Sequence, residues 1–199
     1  LIHDGRVIVE STDIMQYLDH YFPEPSLSID EPEAQEKLAK LICLVNSVQG
    51  ALKVLTFEYL IKSGPRKSKK QLKLLTDNVK NPELVAFYQD FYSKNGLSDR
   101  VISEARTTWD STLRRLDNHL RLKHWFLGDI YTHGDIAWIP NIHRLTLIGL
   151  DLKPFPEVRR WYAQVNQRPA FQRMISSYES KALLLYFSFY GLVRHLMGT

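Results

Sequence analysis

Apolar residues recur at intervals of three and four along most of the chain after residue 32. The clearest run has successive spacings of 3, 4, 4, 3 and 4, and its members are Ile102, Ala105, Trp109, Leu113, Leu116 and Leu120. This period matches a helical turn and places the side chains on one face. An earlier stripe predicts one long helix and consists of Leu38, Leu41, Ile42, Val45, Val48, Leu52 and Leu55. The sequence therefore predicts a mainly helical fold with these stripes in its core.

The first 22 residues have a different pattern. Two β-prone runs, residues 1–2 and 7–9, flank Asp4-Gly5, a pair that favours a tight hairpin turn. Ser11 then has the side chain of a helix N-cap, and apolar residues recur at helical spacing up to Phe22. Proline-rich linker composition follows. We therefore divide the chain into residues 1–22, a linker over residues 23–32 and a helical domain over residues 33–199.

Several helix boundaries are also marked. Ser98 predicts the N-cap of the helix with the clearest stripe. Thr132 and Asp135 have the spacing of a capping box, in which each residue satisfies an amide of the other at the start of a helix. Pro156 favours the first turn of a further helix, which Arg168-Pro169 ends.

The net charge of +4 comes from one short segment. Residues 62–73 contain six cations and no acid, which leaves a net charge of −2 for the rest of the chain. This distribution argues against nucleic acid as a partner. A solvated loop is the favoured interpretation of the basic segment, with contact to phosphate or to a membrane surface as the alternative. Residues 182–193 are almost entirely apolar and predict either a packed C-terminal helix or a membrane-associating tail.

Neither cysteine nor histidine predicts a metal site. Cys43 is the single cysteine, which excludes a disulfide framework and a cysteine-ligated structural zinc. Because it lies within an apolar stripe, we expect a buried, inert thiol. The histidine pairs His119/His124 and His133/His143 do not have the spacing of two metal ligands on one helix, and neither pair has a third ligand beside it.

Glu10 and Ser11 lie between the second strand and the first helix. Amides at a helix N-terminus favour an anionic group, and the glutamate carboxylate binds an ammonium. The pair would suit the head of an amino acid. Without further information, however, the two residues are better explained as a helix N-cap, Ser11, beside an exposed glutamate, Glu10, than as a binding site.

The order of these features resembles cytosolic glutathione transferases. The stretch IHDGRVIVESTDIMQYLDHYFPEP is similar to the end of their thioredoxin-like domain. LGDIYTHGDIAW and FPEVRRWYAQVNQRPAF resemble segments of their all-helical second domain. The resemblance implies the last β-hairpin and helix of a thioredoxin-like α/β domain, followed by a complete all-α C-terminal domain.

The resemblance also assigns roles to residues. Glu10 would bind the ammonium and Ser11 the carboxylate of the γ-glutamyl head of glutathione, the cosubstrate. Thr132 and Asp135 would serve folding, and the helix bearing Asn46, Gln49 and Phe57 would line the pocket for the second substrate. The family's catalytic serine, tyrosine or cysteine would lie N-terminal to Leu1, so no catalytic residue is predicted within the chain.

The implied reaction is attack of the glutathione thiolate on a hydrophobic, aromatic electrophile by conjugation, ether cleavage or dehalogenation. DGRVIVEST followed by YFPEP looks most like bacterial transferases that act on aromatic ethers or haloaromatics. The family implies a cytoplasmic, metal-free homodimer with a role in detoxification. The alternatives are a non-catalytic binding protein of the same fold and a membrane-associated relative.

Overall fold

The computed structural model describes residues 1–62, 64 and 67–179, and the predicted apolar segment 182–193 lies outside them. A two-stranded hairpin is followed by helices along the rest of the described chain. The elements are β1 (Ile2–His3), β2 (Arg6–Val7), α1 (Ser11–Tyr21), α2 (Pro32–Ser47), α3 (Gln49–Thr56), a π-helical turn (Phe57–Ile61), α4 (Lys69–Asp77), α5 (Pro82–Tyr92), α6 (Asp99–Leu120), α7 (His133–Leu147), α8 (Pro156–Gln167) and α9 (Pro169–Tyr178). The predicted fold class is confirmed.

The hairpin turns at Asp4-Gly5, as the sequence predicts. Asp4 has φ 48° and Gly5 has φ 76°. Two consecutive residues with positive φ match the right-handed twist of the strands that they join. The antiparallel strands pair Ile2 with Val7 and His3 with Arg6, and the chain then enters α1 directly.

The stripe predicted as one long helix is divided between α2 and α3. Val48 separates them with φ −96° and ψ 0°, yet its side chain stays buried. Because the apolar face continues across the break, hydrophobic period alone does not reveal it. By length and composition, Pro32–Ile61 is apolar enough to cross a bilayer, a property that core helices of soluble proteins share.

Helix α6 lies at the centre of the helical core. Its predicted N-cap is confirmed, since Ser98 Oγ accepts a hydrogen bond from the N–H of Val101. Trp109 is fully buried and meets Trp138 of α7 edge to face at 6.4 Å. Trp161 of α8 is also fully buried. These three indoles belong to one buried core, to which α6, α7 and α8 contribute.

The capping box at the start of α7 is confirmed. Thr132 Oγ1 accepts from the N–H of Gly134, and the N–H of Thr132 donates to Asp135 Oδ2 at 2.9 Å. Asp135 also binds outside the box: its Oδ1 accepts from the N–H of Phe126 at 3.1 Å and from Trp161 Nε1 at 2.8 Å. Burial raises the pKa of Asp135, while these hydrogen bonds act in the opposite direction. One carboxylate thus joins α7, α8 and the loop before α7.

The prediction of a loop for the basic segment is wrong for residues 69–73, its C-terminal part. Lys69–Asp77 forms α4, which begins with a capping box between Ser68 and Gln71. Leu72 and Leu75 are half-buried, and α4 packs against α5. The Ser-x-x-Gln signature at positions 68–71 indicates the start of α4, but the many lysines around it favoured the prediction of a solvated loop.

Candidate functional site

The N-terminus of α1 opens on a cavity of about 680 Å³, which we call the α1–α7 cleft. Its walls come from α1, α3, the π-helical turn and α7. The lining residues are Ser11, Ile14, Met15, Gln49, Leu52, Lys53, Thr56, Phe57, Ile136, Ala137, Pro140, Asn141 and Arg144. Three residues singled out from the sequence therefore meet here: Ser11, Gln49 and Phe57. Asn46 lines a different cavity.

Ser11 is the first residue of α1 and not its cap, so the predicted N-cap is wrong. Glu10 occupies the cap position with φ 65° and ψ 131°, and its side chain makes no capping hydrogen bond. A non-glycine residue in such a conformation costs about 1–3 kcal/mol, and strain of this kind concentrates at binding sites. Both side chains are exposed.

The first amides of α1 are open to a ligand. The N–H of Ile14 is the first that finds a helical partner, the carbonyl of Glu10 at 3.0 Å. No side chain of the described residues caps the three amides before it. Their N–H groups and the positive end of the helix dipole form a ready site for an anionic group.

The walls of the α1–α7 cleft carry positive charge over an apolar surface. Lys53 and Arg144 line it, and no acidic residue appears among its described lining residues. The Lys53 ammonium lies over the ring of Phe87 at 4.5 Å. Gln49 Nε2 donates to Asn141 Oδ1 at 2.9 Å, which holds two polar side chains together across α3 and α7. This arrangement favours a ligand with an anionic end and an apolar body.

Sequence reasoning missed Lys53 and Arg144, although the helical period contained a signal. Lys53 lies four residues after Gln49 and four before Phe57, which puts all three on one face of the helical segment. Arg144 lies four residues after Pro140 in the same way. Nothing in the local sequence indicates that the face of α7 with Pro140 and Arg144 meets the face of α3.

A second cavity, of about 710 Å³, lies between α1, the linker, α2 and the start of α7. We call it the linker cavity. Asn46, Cys43 and His133 are among its lining residues. Cys43 is exposed, so the predicted buried thiol is wrong. It lies two residues from both Leu41 and Val45, about 200° around the helix from either core position.

Two of the histidines, His119 and His143, contact hydrogen-bonding groups of the protein. His119 Nε2 lies 2.7 Å from the carbonyl oxygen of Phe126, and burial lowers the pKa of His119. His143 contacts the Tyr162 hydroxyl through Nδ1 and Glu179 Oε1 through Nε2, at 2.6 and 2.7 Å. Within the described residues, no three histidine, cysteine, aspartate or glutamate side chains group as metal ligands do.

Comparisons with known proteins identify the fold. Residues 99–164 match the family model described as "Glutathione S-transferase, C-terminal domain". The glutathione S-transferase GstB of Escherichia coli K12 is 39% identical over 66 residues, which are 33% of this chain and 32% of GstB. The match thus spans about a third of the length of that relative.

Protein LigF of a Sphingobium strain matches more of the chain. It is 24% identical over 92% of this chain and 75% of LigF. The crystal structure of the beta-etherase LigF superposes with a TM-score of 0.77 at 22% identity, covering 88% of this chain and 76% of that one. A glutathione S-transferase from Methylobacillus flagellatus, solved with GSH bound, has a TM-score of 0.59 at 20% identity over 85% and 70% of the two chains.

Proposed function

We propose that this chain, whose residues 99–164 belong to the glutathione S-transferase C-terminal domain family, binds glutathione in the α1–α7 cleft and takes part in its transfer to a hydrophobic electrophile. The observation that supports the proposal most strongly is the uncapped N-terminus of α1, which opens on a cleft with cationic and apolar walls. Glutathione carries two carboxylates, one ammonium and a thiol. The uncapped helix N-terminus, Lys53 and Arg144 offer partners for the carboxylates, and Glu10, which precedes the lining residue Ser11, offers one for the ammonium.

Glu10 and Ser11 are the proposed site of the γ-glutamyl head. The open amides of α1 and the Ser11 hydroxyl would donate to its carboxylate, and the Glu10 carboxylate would accept from its ammonium. The strained conformation of Glu10 supports this role, because it keeps the side chain from capping its own helix.

Lys53 and Arg144 would contribute a positive potential in the cleft. Such a potential favours the thiolate form of glutathione over the thiol, and the thiolate is the nucleophile. Its sulfur would attack an electrophilic carbon, a carbon–sulfur bond would form, and the leaving group would depart with the bonding electron pair. Leu52, Phe57 and Ile136 supply apolar surface for an aromatic substrate.

An aromatic ether or haloaromatic is the proposed class of electrophile. It rests on the likeness to the beta-etherase LigF, together with the apolar wall of the cleft. Homodimerisation, cytoplasmic location and membrane contact through residues 182–193 stay predictions. So does the division of the chain at residues 22 and 32.

Calorimetry on the whole chain tests the binding site. Ser11→Ala should weaken glutathione binding at least several-fold, since a hydrogen bond to a charged group is worth about 1.5–3 kcal/mol. Ser47→Ala is the matched control: this serine lies on α2 outside the α1–α7 cleft, and its hydroxyl donates to the Leu44 carbonyl. Equal affinities for wild type and Ser11→Ala would refute the assignment.

Turnover separates an enzyme from a binding protein. With glutathione and 1-chloro-2,4-dinitrobenzene, a transferase releases chloride and forms the aryl thioether. Because the catalytic side chain is expected N-terminal to Leu1, the assay uses a longer chain that includes that region. Tight, Ser11-dependent binding of glutathione by that chain without turnover of this probe or of an aryl ether would favour the non-catalytic alternative.

A further inference from the structure

We propose that the linker cavity, which adjoins the α1–α7 cleft at Met15, is a second binding site for an uncharged aromatic compound that bears a hydroxyl group. The proposal does not depend on glutathione binding. It rests on three observations: the volume and lining of the cavity, an unpaired buried imidazole in its wall, and an exposed thiol at the same place.

The lining of the linker cavity is mixed and carries no formally charged residue among those described. Met15, Leu38 and Ile42 supply apolar surface. Polar groups come from uncharged side chains, among them Gln35 and Asn46. A volume of about 710 Å³ falls in the range of small-molecule sites, which combine apolar walls with a few polar groups.

His133 gives the cavity an unmet hydrogen-bonding group. The residue is 4% exposed, and its Nε2 is buried without a hydrogen-bond partner among the described residues. A buried nitrogen of this kind is unfavourable until it is paired. His133 is also the first residue of α7, whose capping box fixes the position of the backbone.

The neighbouring carboxylate does not satisfy this imidazole. Asp19 uses its two oxygens on the N–H of Leu27, at 2.7 Å, and on the Ser28 hydroxyl. Burial opposes ionisation of Asp19, but these hydrogen bonds lower its pKa overall. Burial lowers the pKa of His133, so the ring is held neutral beside an already paired carboxylate.

These features select the class of ligand. A neutral imidazole has one donor and one acceptor nitrogen, and a hydroxyl group can pair with either. An anion or a cation would find no countercharge among the lining residues, so a charged ligand would lose its hydration without compensation. An aromatic ring matches the apolar wall from α1 and α2.

Cys43 provides a direct reporter, because it is the only cysteine of the chain and it lines the linker cavity. The experiment measures the rate at which iodoacetamide alkylates Cys43 in the whole chain, with 2-naphthol as the probe. We expect saturable protection by 2-naphthol, with at least a several-fold slower rate at saturation. Naphthalene-2-sulfonate has the same ring system with a charge and should give no protection.

Two variants locate the bound probe. His133→Leu should weaken the protection by about 2- to 13-fold, the effect of one neutral hydrogen bond, without a lower melting temperature, since Nε2 has no hydrogen bond to lose. Ala39→Phe adds a ring at an exposed lining position of α2 and should abolish protection. Lys40→Phe, at the adjacent exposed position outside the lining, is its matched control. Ser11→Ala should leave the protection unchanged.

Several results would overturn the proposal. Alkylation that is insensitive to 2-naphthol, or equally slowed by the sulfonate, would exclude the site or its selectivity. An unchanged dissociation constant for 2-naphthol in His133→Leu would show that the imidazole does not bind the ligand. A rate that falls with increasing protein concentration and ignores 2-naphthol would mean that a second copy of the chain covers the cavity.

Discussion

Asp135 should contribute more to stability than any capping residue could alone. Its carboxylate accepts hydrogen bonds from the N–H groups of Phe126 and Thr132 and from the indole N–H of Trp161. All four residues are fully buried. In Asp135→Ala these three N–H donors would lose their acceptor inside the buried core.

The magnitude follows from the number of donors. Leaving one buried donor unsatisfied costs about 1–3 kcal/mol, so three donors give about 3–9 kcal/mol. Typical domains have a total stability of about 5–15 kcal/mol. We therefore expect Asp135→Ala to lose at least about 3 kcal/mol and to approach complete unfolding. Asp135→Asn keeps one oxygen but turns an amide nitrogen toward a donor, so it should lose about 1–3 kcal/mol.

Urea unfolding followed by far-ultraviolet circular dichroism measures these losses. The matched control is Asp129→Ala, an exposed aspartate in the loop before α7, which should change the unfolding free energy by less than about 0.5 kcal/mol. If Asp135→Ala unfolds within about 1 kcal/mol of the wild type, the three hydrogen bonds do not hold α7, α8 and the loop together.

Three further outcomes are expected. Thr132→Ala removes the cap oxygen of α7 and should cost about 1 kcal/mol in a urea titration, with the intrinsic affinity for glutathione unchanged. Asp117→Ala should cost a similar amount, because its Oδ1 accepts from the first amides of α8, those of Glu157 and Val158, at 2.7 and 3.1 Å; no loss in the same titration would argue against this cap. Burial puts the pKa of His119 below its unfolded value of about 6.5. Between the two pKa values the unfolded chain binds more protons than the folded chain, so the unfolding free energy should fall as the pH drops below about 6.5. His119→Gln should reduce this dependence of the unfolding free energy on pH, and an unchanged dependence would exclude His119 as its source.

The elements that could be predicted from the sequence are those with local causes. The buried face of α6 follows from period alone. The start of α7 follows from Thr132 and Asp135, since a capping box needs only four consecutive residues. The Asp4-Gly5 hairpin is equally local. In each case the residues that mark the element in the sequence lie within it or next to it.

The elements that could not be predicted depend on contacts between distant segments. Asp117 shares a face of α6 with Arg106, Asp110, Arg114 and Arg121, a pattern that is typical of a solvated surface. It nevertheless caps α8, some 40 residues later in the chain. The apolar neighbours of Cys43 predict a core position, although its angular position on α2 faces outward. Lys53 and Arg144 meet in one cleft only because α3 packs against α7.

The Glu10–Ser11 site combines both situations. The sequence indicates a place for a zwitterion between strand and helix, but it also predicts Ser11 as the cap. The structure moves the cap to Glu10, at φ 65°, and leaves the N-terminus of α1 without a side-chain cap, where Ser11 lines the α1–α7 cleft. That geometry is a property of the turn into α1, which no composition or period encodes.

The most direct test of glutathione recognition compares two ligands on two proteins by calorimetry. Glutathione has the γ-glutamyl head, and cysteinylglycine lacks it. If α1 binds that head, Ser11→Ala should weaken glutathione binding about 13- to 160-fold and leave cysteinylglycine unaffected, so that the two effects differ by about 1.5–3 kcal/mol. Equal effects on both ligands, or none on either, would contradict a γ-glutamyl site at Glu10 and Ser11.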